Sequence, residues 1–171
     1  GGGIRLQSAV GRGTSVELFI AAAPEHSAAA VPSARSASIA TGTERILVVE
    51  DEPLVREYVA AQLEQLGYRV TSAPDGVKAL QLLEQDRGFD LLLTDLIMPG
   101  GISGRQLSQK ALARRPDLRV LSMSGFTGDH PGSPTLEDLD LPLLRKPFNR
   151  RDLAQAVRGV LEAPVPGRME R

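Results

Sequence analysis

Hydrophobic and polar residues alternate in two short stretches near the amino end, Ile4-Arg5-Leu6-Gln7-Ser8 and Ser15-Val16-Glu17-Leu18-Phe19-Ile20. Between them lies the Gly-rich sequence Val10-Gly11-Arg12-Gly13-Thr14. A period of two on either side of such a turn predicts a β-hairpin. A lone hairpin is marginal in water, so this piece reads as part of a larger sheet. Residues 21–43 hold Ala, Ser, Pro, Thr and Gly with almost no large apolar side chains, and are expected to form a disordered linker.

From Glu44 onward, short apolar runs alternate with helical periodicity. The runs Ile46 to Val49, Phe89 to Thr94, Val120 to Met123 and Leu141 to Arg145 predict buried strands of a parallel sheet, and the alternating Tyr68 to Ala73 adds another. A first helix is predicted from Pro53, with Leu54, Val55, Tyr58, Val59, Leu63 and Leu66 on one inward stripe and Gly67 as its stop. Asp75 is expected to cap a second helix through Asp86, with Val77, Leu80 and Leu83 inward. A third helix runs from Gln106 to Arg115 and is stopped by Pro116. A last one spans roughly 149–162, with Leu153, Ala156, Val157, Val160 and Leu161 as its apolar face.

Between Phe126 and Asp140, the residues Gly128, Pro131, Gly132 and Pro134 leave room for only a short helix near Thr135–Leu139. The fourth helix of the pattern is therefore expected to be degraded. Five strands alternating with helices predict an α/β fold: a doubly wound, flavodoxin-like parallel sheet ordered 2-1-3-4-5. The expected organisation is a hairpin at 1–20, a linker at 21–43, an α/β domain at 44–163 and a loose tail at 164–171.

Each strand beside the proposed switch point ends in a polar group: Glu50-Asp51, Asp95, Ser124 and, after the last strand, Lys146. Ligand chemistry in an open parallel sheet sits just beyond the carboxyl ends of its strands. Taken singly, an Asp there is a helix cap, a Ser a turn residue and a Lys a surface charge. Their coincidence favours a functional acidic site. Carboxylates gathered in one cleft repel unless a cation compensates, and Mg²⁺ suits an all-oxygen set. Pro147 follows Lys146 and is a candidate cis residue that would fix how the chain leaves the strand.

Composition narrows the function further. The 171 residues carry a formal net charge of −1, which gives no support for bulk binding to nucleic acid or an anionic membrane. The absence of cysteine excludes disulfides, zinc-thiolate sites and thiol catalysis. No apolar stretch approaches the roughly 20 residues needed to span a bilayer. A cytoplasmic location is therefore expected, with no membrane contact by this segment. His26 and His130 lie in polar or Gly/Pro-rich sequence and read as solvated bystanders.

Four motifs carry a family resemblance. They are Val48-Val49-Glu50-Asp51-Glu52, Leu93-Thr94-Asp95-Leu96-Ile97-Met98-Pro99-Gly100, Ser122-Met123-Ser124-Gly125-Phe126 and Leu144-Arg145-Lys146-Pro147-Phe148. With them, residues 45–162 resemble a receiver domain of two-component response regulators. The resemblance implies that Asp95 is the phosphoacceptor, with Mg²⁺ held by Asp51 and Asp95, by Glu50 through water and by the backbone carbonyl of Ile97. It also implies that Ser124 hydrogen-bonds a phosphoryl oxygen, that Lys146 ion-pairs with it, and that the phosphoryl donor is a histidine kinase or histidine phosphotransfer protein. Such a module catalyses only its own phosphorylation and dephosphorylation. Ile97 and Phe126, two residues beyond the acceptor and the Ser, cannot orient an attacking water, so slow dephosphorylation is expected. Leu143 stands where the family often has an aromatic switch residue, which puts that switch in doubt.

The hairpin has a resemblance of its own. Gly2 to Ser8, Gly11-Arg12-Gly13-Thr14 and Val16 to Ile20 are similar to the final strands of a histidine-kinase ATPase domain, implying a fragment of a hybrid sensor kinase. The phosphorylatable His on a dimerisation helix and the Asn/Asp-Gly nucleotide motifs are not found in the sequence, so ATP binding by this segment is not expected. Two other functions compete with the receiver reading. A haloacid-dehalogenase-like phosphatase shares an Asp nucleophile, Ser/Thr and Lys, but Asp95-Leu96-Ile97 lacks that family's second acid. A phosphorylation-independent interaction module would have no need of the acids.

Overall fold

The structure is a computed structural model that describes residues 2–21, 40–99, 101–125 and 141–164. The chain divides into two units, Gly1–Ser38 and Ile39–Arg171. In the first, β1 (Gly3–Ala9) and β2 (Gly13–Phe19) form the antiparallel hairpin expected from their alternation. Ile4 faces Leu18 and Leu6 faces Val16, so one face is apolar; the opposite face pairs Arg5 with Glu17 at 3.0 Å. All four apolar side chains of the stripe are more than half exposed.

The second unit is a five-stranded parallel sheet. Its strands are β3 (Arg45–Val49), β4 (Arg69–Ala73), β5 (Leu91–Asp95), β6 (Arg119–Ser124) and β7 (Leu143–Arg145), in the order β4-β3-β5-β6-β7. Numbered within the domain, that order is 2-1-3-4-5. The helices are α1 (Pro53–Gln65), α2 (Gly76–Gln85), α3 (Gly104–Arg114) and α4 (Arg150–Glu162).

Strand residues alternate between two cores. Ile46, Val48, Leu91, Leu93, Leu121 and Met123 pack with Val59 and Leu63 of α1 and with Leu153 and Val157 of α4. Leu47, Val49, Leu92 and Val120 pack on the other face with Ala79 and Leu83 of α2 and with Leu107 and Ala111 of α3. Burial on both faces is why these strands read as continuous apolar runs.

Local chemistry sets the helix ends. Asp75 accepts from the Lys78 amide to start α2. Ser103 and Gln106 form a reciprocal capping box, so α3 starts at Gly104, two residues earlier than expected. Asn149 and Asp152 do the same for α4. Gly67, with φ +92°, follows α1 in the left-handed region that stops a helix.

Three side chains expected inward are not. Leu54 is 75% exposed, Tyr58 48% and Val77 51%. At about 100° per residue, Leu54 lies about 140° round the helix from the buried Val59, and Val77 about 120° from the buried Leu83. The apolar stripes are wider than the arc the sheet covers. On α4, Ala154 is buried alongside the expected residues, while Ala156 only flanks the core. β7 is shorter than the apolar run that announced it, and β5 starts at Leu91 rather than Phe89. Residues 22–39 of the linker expected at 21–43, the stretch expected to hold the degraded fourth helix, Phe126, both histidines and most of the tail lie outside the described residues.

Candidate functional site

Parallel register brings the strand ends level. Val49 pairs with Thr94, Asp95 with Met123, and Ser124 with Arg145. Glu50 and Asp51, just past β3, therefore stand beside Asp95 at the end of β5. One oxygen from each of Glu50, Asp51 and Asp95 lies within 4.8 Å of the others. Glu50 is 2% exposed and Asp95 9%.

Lys146, one residue beyond β7, reaches across the sheet into this group. Its Nζ donates to Glu50 Oε2 and to Asp95 Oδ2, both at 2.6 Å. Its backbone amide donates to the Ser124 carbonyl at 2.7 Å, tying β7 to the end of β6. The Lys146–Pro147 peptide is cis, as the sequence suggested. Ser124 is buried at the end of β6. All the strand-end residues singled out in the sequence thus sit at the carboxyl ends of the strands, on one side of the sheet.

The other Asp95 oxygen, Oδ1, accepts from the Ile97 amide at 3.1 Å. The Ile97 side chain is 56% exposed. Its backbone amide, not its side chain, is therefore the part of Ile97 that contacts the Asp95 carboxylate.

Burial is the largest influence on Glu50 and pushes it above the usual carboxylate range, against the hydrogen bond from Lys146. Burial alone would lower Lys146, but its hydrogen bonds to Asp95 and Glu50 together outweigh it, and the ammonium is held above its ordinary value. Lys146 stays charged and leaves both acids within reach of one cation. Among the described residues, three carboxylates gather here, and Lys146 pairs with two of them, Glu50 and Asp95. An all-oxygen set with surplus negative charge fits a hard divalent cation.

Two residues at the site escaped the sequence reading. The Arg56 guanidinium, from the first turn of α1, donates to the carbonyls of Glu50 at 2.7 Å and Asp51 at 3.2 Å. The signal for it was a cation in the first helical turn, where the helix dipole disfavours one. The second is Gly104, where a Cβ would fall 1.8 Å from the Asp95 carbonyl oxygen. Its signal was the Ser-x-x-Gln capping sequence that puts a helix start beside the end of β5.

Comparison with known proteins agrees with this architecture. Residues 46–158 match the model of the response regulator receiver domain. The chain is 35% identical over 119 residues to the response regulator receiver protein CpdR of Brucella abortus, covering 70% of this chain and 98% of that protein. It is 31% identical over 170 residues to the sensor kinase CckA of the same organism, covering 95% of this chain but only 18% of the kinase. The crystal structure of the receiver domain from the hybrid histidine kinase CckA is 36% identical, with a TM-score of 0.57 over 69% of this chain and 99% of that one. Receiver domains have an acidic pocket for Mg²⁺ and work with histidine kinases or phosphotransfer proteins. By sequence match, by sheet order and by the fold of its relatives, the chain belongs to the response regulator receiver domain family of two-component signalling.

Proposed function

We propose that this chain is the phosphoacceptor module of a hybrid sensor kinase, taking a phosphoryl group from phosphohistidine onto Asp95. The observation that carries the reading is the convergence of Lys146 on Asp95 and Glu50 with Asp51 beside them. The Asp95 carboxylate attacks phosphorus in line; a P–O bond forms as the P–N bond to the donor imidazole breaks. The Ile97 amide and Lys146 each hold one Asp95 oxygen, which limits the rotation of the nucleophile. Lys146 then has its charge beside the transferred group, and Ser124 supplies a hydroxyl for a phosphoryl oxygen.

Asp51 and Asp95 would hold Mg²⁺ directly, with Glu50 acting through water and Ile97 through its backbone carbonyl. When bound, the ion supplies positive charge against the phosphoryl oxygens. Its fit rests on the three oxygen donors within 4.8 Å. The partner is a histidine kinase or a histidine phosphotransfer protein in the cytoplasm, and no helix among the described residues is long and apolar enough to cross a membrane.

Membership of a hybrid kinase is favoured by the match to a sensor kinase over 95% of the chain, which reaches into the hairpin. On this reading the hairpin is the end of the parent kinase's own ATPase domain. Its exposed stripe of Ile4, Leu6, Val16 and Leu18 is what a hairpin separated from a larger sheet would present.

Incubation with acetyl phosphate and Mg²⁺, followed by intact mass spectrometry, tests the reading. A single stable phosphoryl adduct is expected. Rapid turnover of many phosphoesters without an adduct would instead favour the phosphatase, and no reaction at all would favour an interaction module.

A further inference from the structure

Three successive carbonyls in the turn between β3 and α1 accept from one residue. The Arg56 backbone amide donates to Glu52 O at 2.9 Å, and its Nη1 donates to Glu50 O at 2.7 Å and Asp51 O at 3.2 Å. The Glu50 carboxylate is held separately, by Lys146 at 2.6 Å and by the Glu52 amide. The α1 N-cap, Glu52, makes no side-chain capping bond, and the first turn of the helix contains no acid. The Glu50 amide reaches only Ala73 O, at 3.3 Å.

The charge of Arg56 sits badly in two respects. It lies at the positive end of the helix dipole, and it stands beside the acids that a divalent cation would share. Electrostatics alone would therefore have Arg56 weaken cation binding. Its guanidinium earns that position only through geometry: with the carbonyls of residues 50 and 51 fixed on the α1 side, the two carboxylates stay turned toward Asp95.

We infer that Arg56 is a positioning residue for the acidic site, clamping the turn so that Glu50 and Asp51 hold the geometry needed by a divalent cation. The inference rests on the Mg²⁺ reading proposed above. The two mechanisms predict opposite signs. Removing a nearby positive charge tightens cation binding, whereas removing a clamp loosens it.

The test is isothermal titration of Mg²⁺ into the full chain as wild type, Arg56→Met and Arg56→Lys, with metal-free thermal melting of each. Met keeps the length of the stem without donors or charge; Lys keeps the charge and a donor but loses the planar fork. The expected result is that Arg56→Met weakens Mg²⁺ binding about tenfold, as loss of an outer-shell partner does, with Arg56→Lys between it and wild type. Equal or tighter binding by Arg56→Met would overturn the inference, as would a lower melting temperature with unchanged affinity. Should Arg56→Met fail to fold, Arg56→Lys decides: weaker binding than wild type supports the clamp and equal binding overturns it. No Mg²⁺ binding by wild type would overturn the metal reading, and the inference with it; binding by wild type that the variants match overturns the inference alone.

Discussion

Gly104 shows how finely one residue sets the site. A Cβ at this position would lie 1.8 Å from the Asp95 carbonyl oxygen and 2.8 Å from its carbonyl carbon, both backbone atoms that no rotamer change can clear. Two effects compete in Gly104→Ala. Alanine is the better helix former by about 1 kcal/mol. Forcing a methyl into packed backbone costs about 1–3 kcal/mol. With contacts this short the clash wins, so Gly104→Ala should lower stability in denaturant titration and slow phosphorylation by small donors, because the end of β5 must move. A variant as stable and as reactive as wild type would show that α3 can shift without disturbing Asp95. The acids, Ser124 and Lys146 were legible in the sequence because each punctuates an apolar run. Arg56 and Gly104 left only indirect signals, a cation in a first helical turn and a capping sequence, since their roles depend on backbone atoms and on an approach that only the folded turn creates.

At the level of elements, strands were easier to read than helix faces. The apolar runs of β3, β5 and β6 are buried throughout, apart from the partly exposed Arg45 and Arg119, so any register hides their side chains. For α1 and α2, periodicity gave the direction of the buried face but not its width, which is why Leu54, Tyr58 and Val77 were misplaced.

One ion pair joins an element boundary to the sheet. Arg45 at the start of β3 grips Asp86, the C-cap of α2, through Nη1–Oδ1 at 3.2 Å and Nη2–Oδ2 at 2.5 Å. The hydrogen bond from Arg45 is the chief reason that Asp86 lies below its ordinary pKa. A carboxylate with a depressed folded-state pKa contributes stability that is present above its unfolded value, about pH 4, and is lost as pH falls through the folded value. Asp86→Asn should therefore be less stable than wild type at neutral pH, with the gap closing on acidification below about pH 4. Thermal melts across that range check this. A gap independent of pH would assign the effect to helix capping rather than charge. The pair is partly exposed, so added salt should also narrow the gap.

For the molecule as a whole, alternation of strands and helices sufficed to give the sheet order, because right-handed crossovers leave few other ways to stack the elements. That order then dictates where chemistry can occur. With β3 and β5 adjacent at the point where the winding reverses, their two acidic ends must meet, and β7 lies close enough for Lys146 to bridge them. Sequence spacing could not reveal that Lys146 contacts Glu50 as well as Asp95, since that depends on the reach of a side chain across two strands. Nor does the order of strands choose among Glu50, Asp51 and Asp95 as the nucleophile, all of which offer an oxygen to the same small volume. The hydrogen bonds from Lys146 and the Ile97 amide to separate Asp95 oxygens favour Asp95. Borohydride reduces an acyl phosphate to an alcohol, which marks the carboxylate that carried it. Treatment of the phosphorylated chain followed by peptide mass spectrometry should find homoserine at position 95, with no labelling of the Asp95→Asn variant; a reduced side chain at position 50 or 51, or undiminished phosphorylation of Asp95→Asn, would contradict the assignment.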